Sequence, residues 1–178
     1  MRIIRGILKG KRFTAPKSFP SRPTTDFAKE GLFNMLESRI EINNLHILDL
    51  CAGTGNITFE FCSREAKHVV SVDQNASCAS YIFKNVEQFQ IQDKVKVIKS
   101  EVRSFLKKWD YTYDLIFFDP PYESTFYEEC ISLIFTKKLL KENGLLIVEH
   151  NNKKDFSSFP NWIECRSFGN VYFSFFKS

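Results

Sequence analysis

The sequence lacks any run of about 18 apolar residues, so we expect no segment of it to cross a membrane. Its first residues, MRIIRGILKGKRF, also lack the extended apolar stretch of a secretory signal. With 178 residues, 43% of them hydrophobic, the chain can bury a sizeable core and is most simply one domain with a small appendage. These properties predict a cytoplasmic globular protein.

Side chains that usually bind metals or attack substrates are few and scattered. The five cysteines are odd in number and include no CxxC pair or Cys/His group. We therefore expect reduced thiols and no metal site. The three histidines begin or end predicted strands without a matching serine or cysteine elbow, so little supports a hydrolase.

Acidic residues are absent from positions 1–25, which carry seven lysines and arginines. The remainder carries 18 basic and 21 acidic residues, a net charge of −3. A basic segment beside a mildly acidic body is what binding to a phosphate backbone requires. We predict that residues 1–24 form this basic arm, either as a solvated tail or as a ribbon docked on the body. The ribbon is favoured because apolar residues alternate imperfectly with the charges. The alternating residues are Ile3, Ile4, Ile7, Leu8 and Phe13.

From residue 25 onward, strand-like apolar segments alternate with helix-like amphipathic ones. A first helix is predicted in RPTTDFAKEGLFNML, with Thr24, Thr25 and Asp26 as candidate N-caps and Gly31 as a weak point. Its expected apolar stripe is Phe27, Leu32, Met35 and Leu36. Strands are then expected at 46–50, 68–73, 94–98, 113–119 and 145–150. Helices are expected at about 55–64, 75–89, 101–109 and 124–138.

This βα series predicts an α/β fold with a doubly wound, mostly parallel sheet covered on both faces. The C-terminal runs WIECRSFG and NVYFSFF, joined through Gly169-Asn170, predict an antiparallel hairpin at the edge. Together these elements give seven strands, and residues 25–178 form one domain.

Acidic residues stand at or near the predicted carboxyl ends of the strands, where the ligands of such sheets bind. They are Asp49, Asp73, Asp119 and Glu149.

The loop DLCAGTGNIT, which follows the first of these strands, contains a GxG turn. Gly53 and Gly55 permit a tight turn and the close approach of a ligand to the backbone. The turn is shorter than the GxGxxG dinucleotide fingerprint, because Thr58 stands where the third glycine would be. Asp73, at the end of the next strand, can accept hydrogen bonds from both hydroxyls of a ribose, or it can cap the following helix. Loop and acid together indicate a nucleoside-bearing cofactor.

Several segments resemble the bacterial RsmD family. They are, in order, MRIIRGILKGKRF, SRPTTDFAKEGLFNML, LDLCAGTGNITFEFCSREA and FFDPPY. Members of that family methylate the N2 amine of a guanine in small-subunit (16S) ribosomal RNA, and they have the Rossmann-like fold of class I S-adenosylmethionine-dependent methyltransferases. DPPY is shared with DNA and RNA adenine methylases. The RPTTD segment before the glycine loop is what makes the resemblance specific to the RsmD family. The resemblance covers nearly the whole chain and implies S-adenosyl-L-methionine as cofactor. It also implies 16S ribosomal RNA, within the small subunit or an assembly intermediate, as partner.

The resemblance also implies which residues form the site. The catalytic residues would be Asp119, Pro120, Pro121 and Tyr122. The cofactor-binding residues would be Asp49, Cys51, Ala52, Gly53, Thr54, Gly55, Asp73 and Glu101. The RNA-binding residues would be Arg2, Arg5, Lys9, Lys11, Arg12 and Arg22.

Within the implied cofactor site, the Asp49 carboxylate would lie near the ammonium group and Asp73 would hold the ribose. Glu101 would lie beside the adenine amine, or it is simply an N-terminal helix residue favoured by the helix dipole. Two residues depart from the family: Cys51 stands where phenylalanine is common, and Asp73 where glutamate is frequent.

The segment FFDPPYES indicates how such a site would act. Its two prolines end the strand and stiffen the loop. The Asp119 carboxylate and the Pro120 carbonyl can accept both N–H bonds of an exocyclic amine, which leaves the nitrogen lone pair free for in-line attack. Tyr122 can stack on the flipped base. Asp119 either takes the proton or only orients the amine before water takes it. The alternative is an Asp-Pro-Pro turn without chemistry.

Three other functions share parts of this pattern. A DNA or RNA adenine-N6 methyltransferase would share FFDPPY and the cofactor site, but the chain has no obvious separate target-recognition domain. A protein glutamine methyltransferase usually has asparagine in place of Asp119 and gains nothing evident from a basic arm. A non-enzymatic RNA-binding protein would not need the intact DPPY and glycine loop.

Overall fold

A computed structural model describes residues 1–15, 19 and 24–178, and within these residues the chain forms five α-helices and seven β-strands. The helices are α1 Asp26–Glu37, α2 Asn56–Ser63, α3 Ala76–Phe89, α4 Val102–Lys108 and α5 Tyr127–Thr136. The strands are β1 His46–Leu50, β2 His68–Asp73, β3 Val95–Lys99, β4 Tyr113–Phe118, β5 Leu140–His150, β6 Trp162–Phe168 and β7 Val171–Lys177. None of the helices in the described part of the chain has the length and apolarity needed to span a bilayer.

The strands form one sheet in the order β3-β2-β1-β4-β5-β7-β6. The pairs among β1 to β5 are parallel, whereas β7 is antiparallel to both β5 and β6. Gly169, with φ of 64°, makes the turn between β6 and β7 in a conformation that suits glycine. The predicted doubly wound, mostly parallel seven-stranded sheet with a C-terminal antiparallel hairpin is confirmed.

Helices cover both faces of this sheet. Apolar residues of α1, α2 and α3 pack on one face, and those of α4 and α5 pack on the other. For this reason β4 is continuously apolar and buried from Leu115 to Phe118. The carboxyl ends of the parallel strands are left to meet at one edge of the layers.

Two predicted element starts differ from the structure by three residues or more. The helix predicted to start at 124 begins at Tyr127, because the Ser124 N–H donates to the Pro121 carbonyl in a turn after the proline pair. The strand predicted to start at 145 begins at Leu140, which pairs with Tyr113 across an irregularity in the register.

Helix α1 begins after Thr25, whose side chain accepts a hydrogen bond from the Ala28 N–H at 3.2 Å. The prediction that Phe27 belongs to the buried stripe is wrong, because its side chain is 67% exposed. Phe27 lies three positions before exposed Glu30, on the opposite face from buried Leu32. The stripe therefore begins at Ala28.

Gly31 allows α1 to lie close to the C-terminal hairpin. A Cβ atom at this position would lie 2.2 Å from Cδ1 of Phe168 in β6. The weak helix propensity of glycine is thus offset by the close approach that it permits.

Residues 1–13 form a ribbon on the surface of α1 and α2. Arg2 and Arg12 pair as an antiparallel bridge, and the Ile3 N–H donates to the Lys11 carbonyl at 3.0 Å. Ile3, Leu8 and Phe13 are buried in the same core as α1, whereas Ile7 in the turn is 57% exposed. The division of the chain into an arm of residues 1–24 and a domain of residues 25–178 stays a prediction.

A buried ion pair holds the ribbon in place. The Lys29 Nζ and Glu60 Oε2 atoms lie 3.0 Å apart, and both side chains are fully buried. Glu60 also pairs with Arg64 and accepts hydrogen bonds from the Ile4 and Arg5 N–H groups at 3.1 and 3.3 Å. Lys29 donates in addition to the Arg2 carbonyl at 2.7 Å. Because every charge in the group has partners, its desolvation cost is offset.

We expect Lys29→Met to destabilise the protein by about 3 kcal/mol, because it leaves a buried glutamate with half of its counter-charge. Urea unfolding would measure this loss. Lys84→Met, at an exposed position of α3, is the matched control and should change stability by less than about 0.5 kcal/mol. Equal effects of the two substitutions would contradict a stabilising role of the buried ion pair.

Candidate active site at the carboxyl ends of the strands

A cavity of about 630 Å³ opens at the carboxyl ends of the parallel strands, a volume that suits a cofactor-sized ligand. Eleven of the twelve residues predicted as catalytic or cofactor-binding line it. They are Asp49, Cys51, Ala52, Gly53, Thr54, Asp73, Glu101, Asp119, Pro120, Pro121 and Tyr122. Gly55, the twelfth, is the N-cap of α2 directly behind the loop. The topology therefore brings the predicted residues together, while their individual roles stay predictions.

The glycine loop turns sharply at three residues. Cys51, Gly53 and Gly55 have φ values of 62°, 53° and 74°. A Cβ atom on Gly55 would lie 2.9 Å from Cε2 of Phe59, so glycine is required there by packing as well as by conformation. Cys51 adopts this region without being glycine, at a cost of about 1 kcal/mol. Cys51 lines the cavity, and its side chain is smaller than the phenylalanine that is common in the family at this position.

Asp73 supports the glycine loop from the end of β2. Its Oδ2 accepts a hydrogen bond from the Gly53 N–H, and its Oδ1 accepts one from the Asn75 N–H, both at 2.8 Å. The N-cap of α3 is Asn75, so the alternative role of Asp73 as that cap is wrong. Each carboxylate oxygen of Asp73 keeps a free lone pair for a ligand hydroxyl.

Glu101 is the N-cap of α4. Its side chain accepts hydrogen bonds from the N–H groups of Arg103 and Ser104 at 3.1 and 2.9 Å. Burial would raise the pKa of Glu101, but these bonds and the Arg103 side chain lower it to about 2. Its interpretation as an N-terminal helix residue is confirmed, and a contact with adenine stays a prediction.

Asp49 lies inside the cavity wall and is almost fully buried. Its Oδ2 accepts a hydrogen bond from the Thr58 hydroxyl at 2.5 Å. Thr58 is the residue that replaces the third glycine of the dinucleotide fingerprint, so this departure provides a partner for the carboxylate. Burial raises the pKa of Asp49 to about 7.

The DPPY loop leaves β4 beside β1. The Asp119 N–H donates to the Leu50 carbonyl at 3.1 Å, and the Pro120 carbonyl accepts a hydrogen bond from the Tyr127 hydroxyl at 3.3 Å. Burial, together with the Glu149 and Asp49 carboxylates, raises the pKa of Asp119 well above its usual range. The loop therefore presents a basic carboxylate and a carbonyl whose second lone pair is available.

Two polar residues of the site were given no role from the sequence. The Glu149 carboxylate is buried in the cavity wall and accepts hydrogen bonds from the Thr24 hydroxyl at 2.8 Å and the Tyr122 hydroxyl at 3.2 Å. Burial raises the pKa of Glu149 to about 7, and these two hydrogen bonds oppose the shift. The sequence predicts a strand-end position for Glu149, whereas for Thr24 it indicates only a helix cap.

Acidic side chains dominate the cavity. Asp49, Asp73, Asp119 and Glu149 form no ion pair within the described part of the chain. Among the described residues that line the cavity, none is a lysine, arginine or histidine. A ligand that carries positive charge would relieve the mutual repulsion of these carboxylates.

The described residues 1–15, 19 and 24–178 contain no group of three or more histidine, cysteine, aspartate or glutamate side chains arranged to hold a metal ion.

The predicted RNA-binding residues differ in their ion pairing. Arg2 pairs with Asp26 at 3.4 Å, and Arg5 pairs with Glu37 at 2.6 Å. The other exposed cations of the ribbon make no ion pair within the described residues, and they are Lys9, Lys11 and Arg12. Arg22 lies outside the described residues.

A doubly wound sheet with this glycine loop, an acid after the second strand and DPPY after the fourth defines a methyltransferase of the Rossmann-like class. The sequence model of the family described as Conserved hypothetical protein 95 matches residues 1–177, and the chain belongs to this family. The resemblance to the RsmD family is thereby confirmed.

Relatives and a solved structure agree with this assignment. The chain is 33% identical to Ribosomal RNA small subunit methyltransferase D of Haemophilus influenzae over 91% of its length and 84% of the relative. It is 30% identical to the protein of the same name from Escherichia coli over 91% and 81% of the two lengths. A solved structure described as a methyltransferase, yhhF from Escherichia coli, superimposes with a TM-score of 0.86 at 27% identity and covers 99% of this chain and 97% of that one.

We expect Asp49→Asn to make stability less sensitive to pH. Because the folded pKa is about 7 and the ordinary value is 3.8, the folded chain keeps a proton that the unfolded chain releases. Stability is therefore lost as the pH rises from about 4 to about 7, by up to roughly 4 kcal/mol in total. Asparagine has no proton to lose, so the variant should gain stability relative to the unaltered chain over this window.

Urea unfolding between about pH 4 and pH 8 would measure the difference. Asp93→Asn, at an exposed position, is the control and should give a stability difference that does not vary in this way. A pH-independent difference for Asp49→Asn would contradict the raised pKa.

Proposed function

We propose that this chain transfers a methyl group from S-adenosyl-L-methionine to the exocyclic N2 amine of a guanine in small-subunit (16S) ribosomal RNA. The observation that carries the proposal is the cavity with five carboxylates and no cationic residue among its described lining, with DPPY at its edge. The relatives named above, whose names specify ribosomal RNA, support the choice of substrate.

The cavity fits the donor groups of the cofactor. S-adenosylmethionine presents an ammonium group, two ribose hydroxyls and an adenine amine, all of which donate hydrogen bonds. Asp49, Asp73 and Glu101 offer carboxylate oxygens, all of which accept them. The cofactor supplies a methyl group on a positively charged sulfur, and positive charge is what this cavity favours.

The target amine would be held by the DPPY loop. The Asp119 carboxylate accepts one N–H of the amine, and the Pro120 carbonyl accepts the other with its second lone pair. Because Tyr127 holds this carbonyl from behind and the prolines restrict the loop, little conformational freedom is lost on binding. The nitrogen lone pair is then directed at the methyl group. The raised pKa of Asp119 suits an acceptor of the proton that the amine releases.

Phosphate binding falls to the ribbon. The acidic cavity repels the RNA backbone, so the cations that hold it must lie outside the cavity. Lys9, Lys11 and Arg12 are exposed and make no ion pair within the described residues, which makes them the most available contacts for phosphates.

The proposed substrate is ribosomal RNA within the small ribosomal subunit or an assembly intermediate. The proposed reaction therefore takes place in the cytoplasm.

Methyl transfer from labelled S-adenosylmethionine tests the proposal. The substrates are small ribosomal subunits that lack the modification, their free RNA and a DNA duplex, and the products are identified by nucleoside analysis. Label in N2-methylguanosine is the expected result. Label only in N6-methyladenine would replace the proposed reaction with adenine methylation, and no label in any substrate would overturn it.

Asp119→Ala should reduce this transfer at least about 100-fold, because the amine loses a charged acceptor aligned with its lone pair. Its affinity for S-adenosylmethionine, measured by calorimetry, should stay within about threefold of the unaltered chain's. Asp93→Ala is the matched control at an exposed position and should retain full transfer. Near-normal turnover by Asp119→Ala would contradict the proposed role.

Replacing Lys9, Lys11 and Arg12 with glutamine should weaken RNA binding and flatten its salt dependence. Each lost phosphate contact makes the negative slope of log K against log salt less steep by about 0.7 to 0.9. Three lost contacts therefore reduce its magnitude by about 2 to 3. Replacing Lys67, Lys84 and Lys177, exposed residues of the body, removes the same charge and is the control. Equal slopes for both triple variants would contradict a specific role of the ribbon.

A further inference from the structure

Glu149 is a buried carboxylate in the cavity wall to which the proposed chemistry gives no role. It is the penultimate residue of β5, between β4 and β7. Phe118 of β4 pairs with Val148 of β5, so Asp119 and Glu149 are the next residues along two neighbouring parallel strands. Their carboxylates therefore lie on the same edge of the sheet, and the Glu149 carboxylate helps to raise the pKa of Asp119.

The Tyr122 hydroxyl forms a hydrogen bond with Glu149. The Tyr122 side chain is 36% exposed, and it makes no ring-to-ring or cation–π contact within the described residues. Its hydroxyl donates to Glu149 Oε1 at 3.2 Å. A hydrogen bond to a carboxylate is about twice as strong as one between neutral groups, so this contact can select one ring orientation.

Glu149 itself is held firmly enough to act as an anchor. Its Oε2 accepts a hydrogen bond from the Thr24 hydroxyl, and its backbone pairs with Phe173 in β7. The Tyr127 hydroxyl contacts both the Pro120 carbonyl at 3.3 Å and the Glu149 carbonyl at 3.4 Å. The start of α1, the end of β5 and the DPPY loop thus meet at this residue.

We propose that Glu149 is a positioning residue of the target-base pocket, whose carboxylate fixes the Tyr122 ring in the orientation that stacks on the base. This inference rests on the proposed function, since it requires a base beside Tyr122. Glu149 also places a negative charge beside Asp119. The titratable groups that face it are Asp49 on β1, and Asp119, Tyr122 and Tyr127 after β4.

A double-mutant cycle of Glu149→Gln and Tyr122→Phe tests the inference by methyl transfer to ribosomal RNA. Each single variant should lower kcat/KM for RNA about tenfold or more, because the orienting hydrogen bond is lost or loses its charge. The kcat/KM of the double variant should be within about twofold of that of the less active single variant. The KM for S-adenosylmethionine should change by less than about threefold in all three.

The pH profile supplies a readout that a purely structural role would not move. Glutamine removes the charge that helps to raise the pKa of Asp119, so the acidic limb of kcat/KM should move to lower pH in Glu149→Gln. It should not move in Glu142→Gln, an exposed position at the other end of the same strand, which should also retain full activity. Tyr111→Phe, at an exposed tyrosine, is the corresponding control for Tyr122→Phe.

The outcomes separate the inference from the function on which it rests. Transfer by the unaltered chain with multiplicative losses in the double variant, or full activity of Tyr122→Phe, would overturn only the role of Glu149. Tyr122→Phe retains the ring at a partly exposed position, so this arm stays decisive even if Glu149→Gln fails to fold. No transfer to RNA by the unaltered chain would overturn both.

Discussion

The buried ion pair between Lys29 and Glu60 is the interaction on which the arrangement of ribbon, helices and cavity depends. Glu60 binds the backbone of the ribbon, and Lys29 connects the ribbon to Asn56 at the start of α2. Asn56 in turn donates to the Thr24 carbonyl, and the Thr24 hydroxyl donates to Glu149 in the cavity wall. A continuous set of hydrogen bonds therefore runs from the basic surface to the edge of the DPPY loop. Packing alone would not fix these elements so specifically, because polar groups must be matched in direction as well as in distance.

Acidic and basic side chains are separated between the cavity and the ribbon within the described residues. The cavity concentrates carboxylates that are costly to ionise, an arrangement that favours positive charge over phosphate. Three cations of the ribbon, Lys9, Lys11 and Arg12, form no ion pair within the described residues. Under the proposed function, an RNA substrate would be bound by its backbone outside and would offer one uncharged base to the interior. The two regions are not independent, since Lys29 contributes to the position of both.

The order of the elements and the cluster of acids at the strand ends were predictable from the sequence, because each depends on local patterns. Alternating βα segments determine where strands end, and the topology then brings Asp49, Asp73 and Asp119 together. Partners that are distant in the sequence could not be predicted. Lys29 has the spacing of an ordinary surface lysine, and only the tertiary structure places Glu60 beside it. Phe27 is as apolar as a core residue but lies on the exposed face of α1. The buried residues of the helix decide which face packs on the sheet.

The position of β7 within the sheet has a consequence for the order of folding. It follows all other strands along the chain, yet it lies between β5 and β6, and its side chains Phe173, Phe175 and Phe176 are buried. Strand β6 therefore has no partner in the sheet until residues 171–177 have left the ribosome. During synthesis, the apolar edge of β5 and the whole of β6 remain without their hydrogen-bonded neighbour. The closure of the sheet by β7 is thus a late step of folding, however early the parallel strands assemble.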